Sequence, residues 1–278
     1  MFTLQNRPLT FLTALTVTAH LTGCGLQLYE ERLQASAEFN EYIQSMEANL
    51  VTAMWEASGI KMRLPLPFND QIPRPPILKD EEGREYYGPD ERHPQEMLGI
   101  VLPGIIDAWT ANLPGDGGID VESRIYVLSN QYRFETRDGA YIEDPTQFLN
   151  DVEAALALTY NVIVPEGEQN DPGDNFRYRA TFPPPKSQAR KFATPKDYTV
   201  IRFISAEPIL NQRLQAQLYE HQVGELQVAI LIIGPESFTP RFRQRIEMAL
   251  QTLTVDPNAA SQDKPGSGGS SGRRDLGF

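Results

Sequence analysis

This 278-residue chain has few side chains suited to chemistry, with one cysteine and three histidines among them. His93 lies in an acidic stretch before Pro94, and His221 follows Glu220 at the end of an apolar run. Neither shows the paired spacing that metal sites use. A nucleophilic serine on a strained elbow needs G-x-S-x-G, and Gly234-Pro235-Glu236-Ser237 lacks the second glycine, so Ser237 reads as a turn or helix-cap hydroxyl. Residues 116–122 begin like a calcium loop with Asp116, but the third position is Gly118 and the sixth is Val121. No phosphate-cradling loop or dinucleotide G-x-G-x-x-G motif occurs. Carboxylates are plentiful, so their mere presence nominates no glycosidase. The sequence therefore assigns no catalytic, cofactor-binding or metal-ligating residue.

The cysteine has a context of its own. Arg7 is followed by a mostly apolar run over residues 9–21 and then by Leu21-Thr22-Gly23-Cys24. This is the layout of a short secretory signal, and the run is too short to cross a bilayer as a helix. The tetrapeptide resembles the lipobox of bacterial lipoproteins, with an aliphatic residue three before the cysteine and a glycine directly before it. The resemblance implies removal of residues 1–23, a diacylglycerol on the Cys24 sulfur and acylation of the new amine. Several acyl chains make a stable anchor where one gives only marginal binding. The implied location is a membrane surface, facing the periplasm or the cell exterior. An acylated Cys24 leaves no thiol for a disulfide, a thiolate nucleophile or a zinc site.

Composition bounds the partners. Without residues 1–23 the chain keeps 255 residues, with 24 basic against 37 acidic side chains, which shifts the net charge from -12 to -13. That length can bury a core. No basic patch large enough to neutralise phosphates is visible, which argues against nucleic acid, and the acidic balance argues against electrostatic binding to anionic lipid. Membrane contact is expected through the Cys24 lipid, leaving the folded part free for an envelope protein partner.

The expected organisation is a signal over 1–23, a helix and tether over 24–58, a folded domain over 59–255 and a Gly/Ser-rich tail over 256–278. Phe39, Ile43, Met46, Leu50 and Met54 recur at helical spacing and predict one amphipathic helix over 28–57, closed by Gly59. Prolines from 65 to 76 predict no regular element there, and the acidic residues 80–96 an exposed loop. Residues 97–102 read as a buried strand, 105–113 as ambiguous, 125–134 as a strand and 161–164 as a short strand. Asp144 before Pro145 is positioned to cap a helix carrying Phe148, Val152 and Leu156. Strands are expected over 177–182, 198–205, 214–221 and 225–233, with 228–233 buried on both faces. A last helix opens at Pro240, its apolar side formed by Phe242, Ile246, Ala249, Leu250 and Leu253. Strand runs followed by a helix favour an α+β fold, an antiparallel sheet flanked by helices with proline-rich insertions, over alternating α/β.

The block from Leu218-Tyr219-Glu220-His221 through Val228-Ala229-Ile230 and the closing helix resembles the end of uncharacterised lipoproteins of planctomycete-type bacteria, whose late hairpin and helix are similar to those of PsbP-like domains. That resemblance implies a mostly non-catalytic accessory or binding role. The expected function is thus a membrane-anchored binding or scaffold module of the cell envelope. The rivals are a periplasmic hydrolase using carboxylates or His93 and His221, and a ligand-binding lipoprotein.

Overall fold

The computed structural model describes residues 9–115, 118–134, 136–137, 140–164, 166–167, 175–205, 207–209 and 212–258; the side chains of 9–26, 136–137 and 140 fall outside the description. The chain divides into two compact units, Met1–Ala48 and Asn49–Phe278. The first is occupied by α1 (Leu9–Asn49). Its described part carries exposed Leu28, Tyr29, Leu33 and Phe39, with the Gln27–Glu31 and Gln34–Glu38 side chains bonded one turn apart.

The expected helix over 28–57 ends early. After Asn49 come β1 (Trp55–Ala57) and β2 (Ile60–Met62), paired antiparallel so that Ala57 faces Ile60. Ser58 and Gly59 between them both have positive φ, the backbone of a tight hairpin turn whose twist matches the strands. Gly59 therefore closes a hairpin, and Met54 lies beyond the helix altogether. The next elements are β3 (Asp70–Gln71), β4 (Ile77–Lys79), β5 (Glu85–Tyr87) and the single-turn α2 (Gln95–Leu98). β3 falls within 65–76, where no regular element was expected, and β4 and β5 form an exposed ribbon whose second strand replaces part of the loop expected over 80–96. α2 replaces the strand expected over 97–102, because Gly99 takes a left-handed conformation and ends the turn.

Two long strands follow, β6 (Ile105–Pro114) and β7 (Asp120–Ser129). β7 stops short of the expected Phe134: Asn130 turns the chain, donating to the Pro145 and Glu225 carbonyls and accepting from the Gln227 amide, and Gln131–Phe134 is a 3-10 turn. Gly104 must be glycine, since its φ is 65° and a Cβ there would lie 2.3 Å from the Ser129 carbonyl oxygen. The short pair β8 (Thr136–Arg137) and β9 (Ala140–Tyr141) leads to α3 (Phe148–Tyr160). Asp144 caps its 3-10 entry by accepting from the Thr146 amide at 2.8 Å, as expected. Asn161 is a left-handed helix end and 162–164 are irregular, which corrects the strand expected there.

The chain closes with β10 (Phe176–Phe182), β11 (Lys196–Ile204), β12 (Leu214–Val223), β13 (Leu226–Pro235), α4 (Pro240–Thr252) and β14 (Thr254–Val255). Thr239, not Ser237, caps α4 through the Phe242 amide. The principal sheet has seven antiparallel strands in the order β10-β11-β12-β13-β7-β6-β3, and β1-β2-β14 make a smaller sheet. This is the expected α+β architecture.

Alternation along the strands sorts the core into two faces. Ala108, Tyr126, Leu231, Leu218 and Ile201 pair in register across one face, where α3 adds Phe148, Val152, Leu156 and Tyr160 to the same buried cluster. The opposite face carries Ile125, Ile230 and Ile232 against Met62 of β2 and Ile246, Ala249 and Leu250 of α4. Every residue of β13 is buried, as the continuous apolar run predicts. A void of about 10 Å³ lies on the α4 face, lined by apolar side chains, with no polar group to hold a water. The tail expected over 256–278 falls outside the described residues from 259 onward.

Candidate functional site

Two residues on neighbouring positions of β6 hold the exposed β4–β5 ribbon in place. The pairing of β6 with β7 slips between Ile105 and Asp107, a bulge that takes the Ile106 carbonyl out of the ladder and makes it available to a side chain. Arg92 donates to it from Nη1 at 2.8 Å. Next to it, the Asp107 carboxylate is almost fully buried. It accepts from Arg74 through Nε and Nη2, both at 3.0 Å, and from Trp55 Nε1 at 2.8 Å. Trp55 packs edge-on against Trp109, ring centres 5.4 Å apart. The hydrogen bond to Asp107 holds the Arg74 guanidinium above its ordinary proton affinity, against its partial burial.

Arg74 and Arg92 flank the β4–β5 ribbon in sequence, so both stems are fastened to one spot on β6. The second stem is braced further by Asp90, which accepts from Arg92 Nε at 2.8 Å and from Arg92 Nη2 at 2.7 Å. Burial pushes the Asp90 carboxyl up, but the Arg92 hydrogen bonds outweigh this and hold it below its usual value. Pro73, Pro75 and Pro76 stiffen the first stem, since each fixes φ and restrains the residue before it.

Between these roots the ribbon is exposed on both sides. Ile77 faces Tyr87 and Leu78 faces Tyr86 across the two strands, and successive positions point to opposite faces. All four side chains are exposed, from 37% for Leu78 to 57% for Ile77. The turn is built by Asp80, whose Oδ1 accepts from the amides of Glu82 and Arg84, with Gly83 at positive φ. A solitary two-stranded ribbon is marginal in water. Here its apolar pairs are presented on a fastened stem.

The residues that sequence reasoning singled out lie elsewhere. Cys24 falls within α1 and its side chain is outside the description. His93 is held by the second stem: its Nδ1 accepts the Leu102 amide at 3.2 Å, and Asp90 Oδ2 is 3.8 Å from Nε2. Burial lowers its proton affinity, against the pull of Asp90, which suits a neutral ring accepting from backbone. His221 Nδ1 lies 2.8 Å from the Asp197 carbonyl and its ring packs on Tyr198 at 5.0 Å. The two histidines thus serve different elements. Asp116 is outside the described residues, and Asp120 and Glu122 lie on β7 rather than in a loop. Among the described residues no group of three or more His, Cys, Asp or Glu side chains converges as a metal centre would.

A second polar cluster escaped the sequence reading. Alternation on β12 turns Glu220 toward the α3 face, in register with Thr199 and Ala229. There it meets Glu153 of α3, which pairs with Arg177 of β10. Burial, reinforced by Glu153, pushes the Glu220 carboxyl up to about 9, with Arg177 opposing. Glu220 is 8% exposed. A protonated carboxyl in this position neutralises a buried charge that the core cannot solvate.

Comparison with known proteins adds no relative: no family model matches the chain, and no curated protein matches it significantly.

Proposed function

We propose that this chain is a lipid-anchored, non-catalytic binding or scaffold module of the cell envelope, attached through Cys24 and docking through the β4–β5 ribbon. One observation carries the docking reading: the ribbon presents Ile77 with Tyr87 on one side and Leu78 with Tyr86 on the other, while its roots are clamped to Ile106 and Asp107. Exposed contiguous apolar side chains mark interaction surfaces, and tyrosines serve well because they bring large area with little rotamer entropy to lose. A fastened ribbon also avoids ordering its backbone on binding. The lipid attachment is supported by the Leu21-Thr22-Gly23-Cys24 spacing alone.

The test is a photo-crosslinking amino acid at Tyr86 in cells that make the full chain, compared with the same group at exposed Gln188. The reading expects a discrete adduct from position 86 that disappears when Leu78 is changed to Ser. Equal crosslinking from both positions contradicts it.

A second reading rests on Glu220. A carboxyl that burial keeps protonated is the form a general acid takes. Its burial beneath α3 favours a packing role instead. Loss of a hydrolytic activity in Glu220→Gln with unchanged folding would establish the hydrolase.

A further inference from the structure

The register of the ribbon fixes which of its backbone groups are spoken for. The Asp80 amide donates to the Arg84 carbonyl and the Gly88 amide to the Pro76 carbonyl, so the hydrogen-bonded pairs are Asp80 with Arg84, Leu78 with Tyr86 and Pro76 with Gly88. Alternation in an antiparallel ladder turns the backbone of the intervening pairs, Ile77 with Tyr87 and Lys79 with Glu85, away from the ribbon. The ribbon has two strands, and no described residue bonds the outward amides and carbonyls of Glu85 and Tyr87. β5 is therefore an open edge, with its three side chains exposed.

Charge distinguishes this edge from that of β4. Lys79 stands at the β4 edge and Glu85 at the β5 edge, their exposed side chains bridged at 3.3 Å. Such a pair contributes little and is easily exchanged. The other cation of the ribbon, Arg84, is shared between Asp80 and Glu82. From Ile77 to Tyr87 the two cations are thus engaged and face four carboxylates, Asp80, Glu81, Glu82 and Glu85, which leaves the ribbon acidic. Glu85 and Tyr87 are two apart on one strand, so their side chains share a face. An aromatic face beside a carboxylate is a favourable seat for a cation.

We propose that the β5 edge takes an extended basic segment of a partner protein as a third strand of the ribbon, with a Lys or Arg set opposite Glu85 and beside the Tyr87 ring. The outward amides and carbonyls of Glu85 and Tyr87 supply main-chain affinity, and alternate side chains supply specificity. Opposite charges directly across a strand pair stabilise it and like charges weaken it. An acidic segment is therefore disfavoured, and so is the β5 edge of a second copy, which would bring the same carboxylates against these. The proposal rests on the reading of the ribbon as a docking element and names the chemistry of what it takes.

Amide hydrogen exchange of the full chain in detergent tests it, with a short end-blocked peptide alternating Arg and Val as the probe and its Glu and Val counterpart as the control. The Glu85 and Tyr87 amides should exchange fast in the free chain, slow with the Arg–Val peptide and stay fast with the Glu–Val peptide. Glu85→Gln should weaken the Arg–Val peptide by about threefold, while Asp120→Asn, at an exposed carboxylate on β7, should leave it unchanged. Tyr87→Pro removes an outward donor without touching a ladder bond, so it should abolish protection of the Glu85 amide at an unchanged melting temperature, where Tyr87→Ser retains part of it. Equal protection by the two peptides, or equal weakening by Glu85→Gln and Asp120→Asn, overturns charge selection. Full protection in Tyr87→Pro overturns strand pairing. Slow exchange at Glu85 in the free chain that is released by deleting residues 259–278, which hold Arg273 and Arg274, would make this chain its own occupant and overturn a separate partner. If Tyr86 forms a specific adduct in cells while the Arg–Val peptide protects nothing, the basic partner falls and the ribbon reading stands. If Tyr86 gives no specific adduct, both fall.

Discussion

Arg74 and Arg92 reach adjacent positions of β6 from opposite stems of the same ribbon, one binding the Asp107 carboxylate and the other the Ile106 carbonyl. The bulge between Ile105 and Asp107 makes this convergence geometrically available. The ribbon therefore depends on the sheet for its stance but not for cover of its own apolar pairs.

Removing one clamp should loosen the ribbon before it unfolds the domain. Asp107→Ala leaves Trp55 Nε1 and the Arg74 guanidinium without their acceptor, and it should cost about 2 kcal/mol. This is less than a fully buried pair would lose, because the Arg74 side chain is half exposed. Hydrogen exchange should rise most at the amides of 77–87. Uniform acceleration across β12 and β13 would show that Asp107 supports the whole sheet instead.

The Glu220 carboxyl gives stability a definite pH dependence. Its folded-state value is raised above the ordinary 4.5 to about 9, so its contribution is fully present below about 4.5 and is lost as pH rises toward about 9. Glu220→Gln keeps the shape and removes the titration. Denaturant unfolding should find the variant more stable than wild type at pH 8, by on the order of 1–3 kcal/mol. The two should converge near pH 4.5. Parallel curves across that range would show that Glu220 is ionised in the folded protein.

Packing on the α4 face should outweigh the histidines. Ile230 is buried against the closing helix, and Ile230→Ala should cost about 2 to 5 kcal/mol through lost transfer energy and a residual cavity. His221→Ala loses a partly exposed ring on Tyr198 and should cost under about 1 kcal/mol. The comparison is made by denaturant unfolding of the two purified variants. The reverse order would place structural weight on the histidine and reopen its candidacy as a functional group.

The anchor is testable independently of the domain. Intact-mass analysis of membrane-extracted protein should show a chain beginning at Cys24 with added acyl mass. A terminus at unmodified Met1 would remove the lipoprotein reading and leave the ribbon untouched.

How much of this was legible in the sequence follows from where the signals are local. The continuous apolar run at 228–233 specified β13, and the Asp144-Pro145 pair specified the entry of α3, because burial on two faces and helix capping each leave a residue-level trace. The ribbon was invisible for the opposite reason. Its strands bury nothing, so no alternation against a core exists to be read, and the flanking prolines argued for irregular chain. The turn that makes it depends on the Asp80 side chain and a left-handed Gly83. Helix periodicity also overran the true end of α1, since Met54 kept the spacing although Ser58 and Gly59 form a hairpin turn. Glu220 was read beside His221 as a strand-end neighbour. Its meeting with Glu153 joins strands and helix far apart in sequence, which no local pattern announces.

The central claim is that the ribbon binds while the sheet merely supports it. The most direct measurement compares the double variant Leu78→Ser, Tyr86→Ser with the wild-type chain, in melting temperature and in specific adduct formation from a photo-crosslinker placed at Tyr87. Because these side chains are exposed, the account predicts a stability change within about 0.5 kcal/mol together with loss of the adduct. A large fall in melting temperature, or full retention of the adduct, would contradict it.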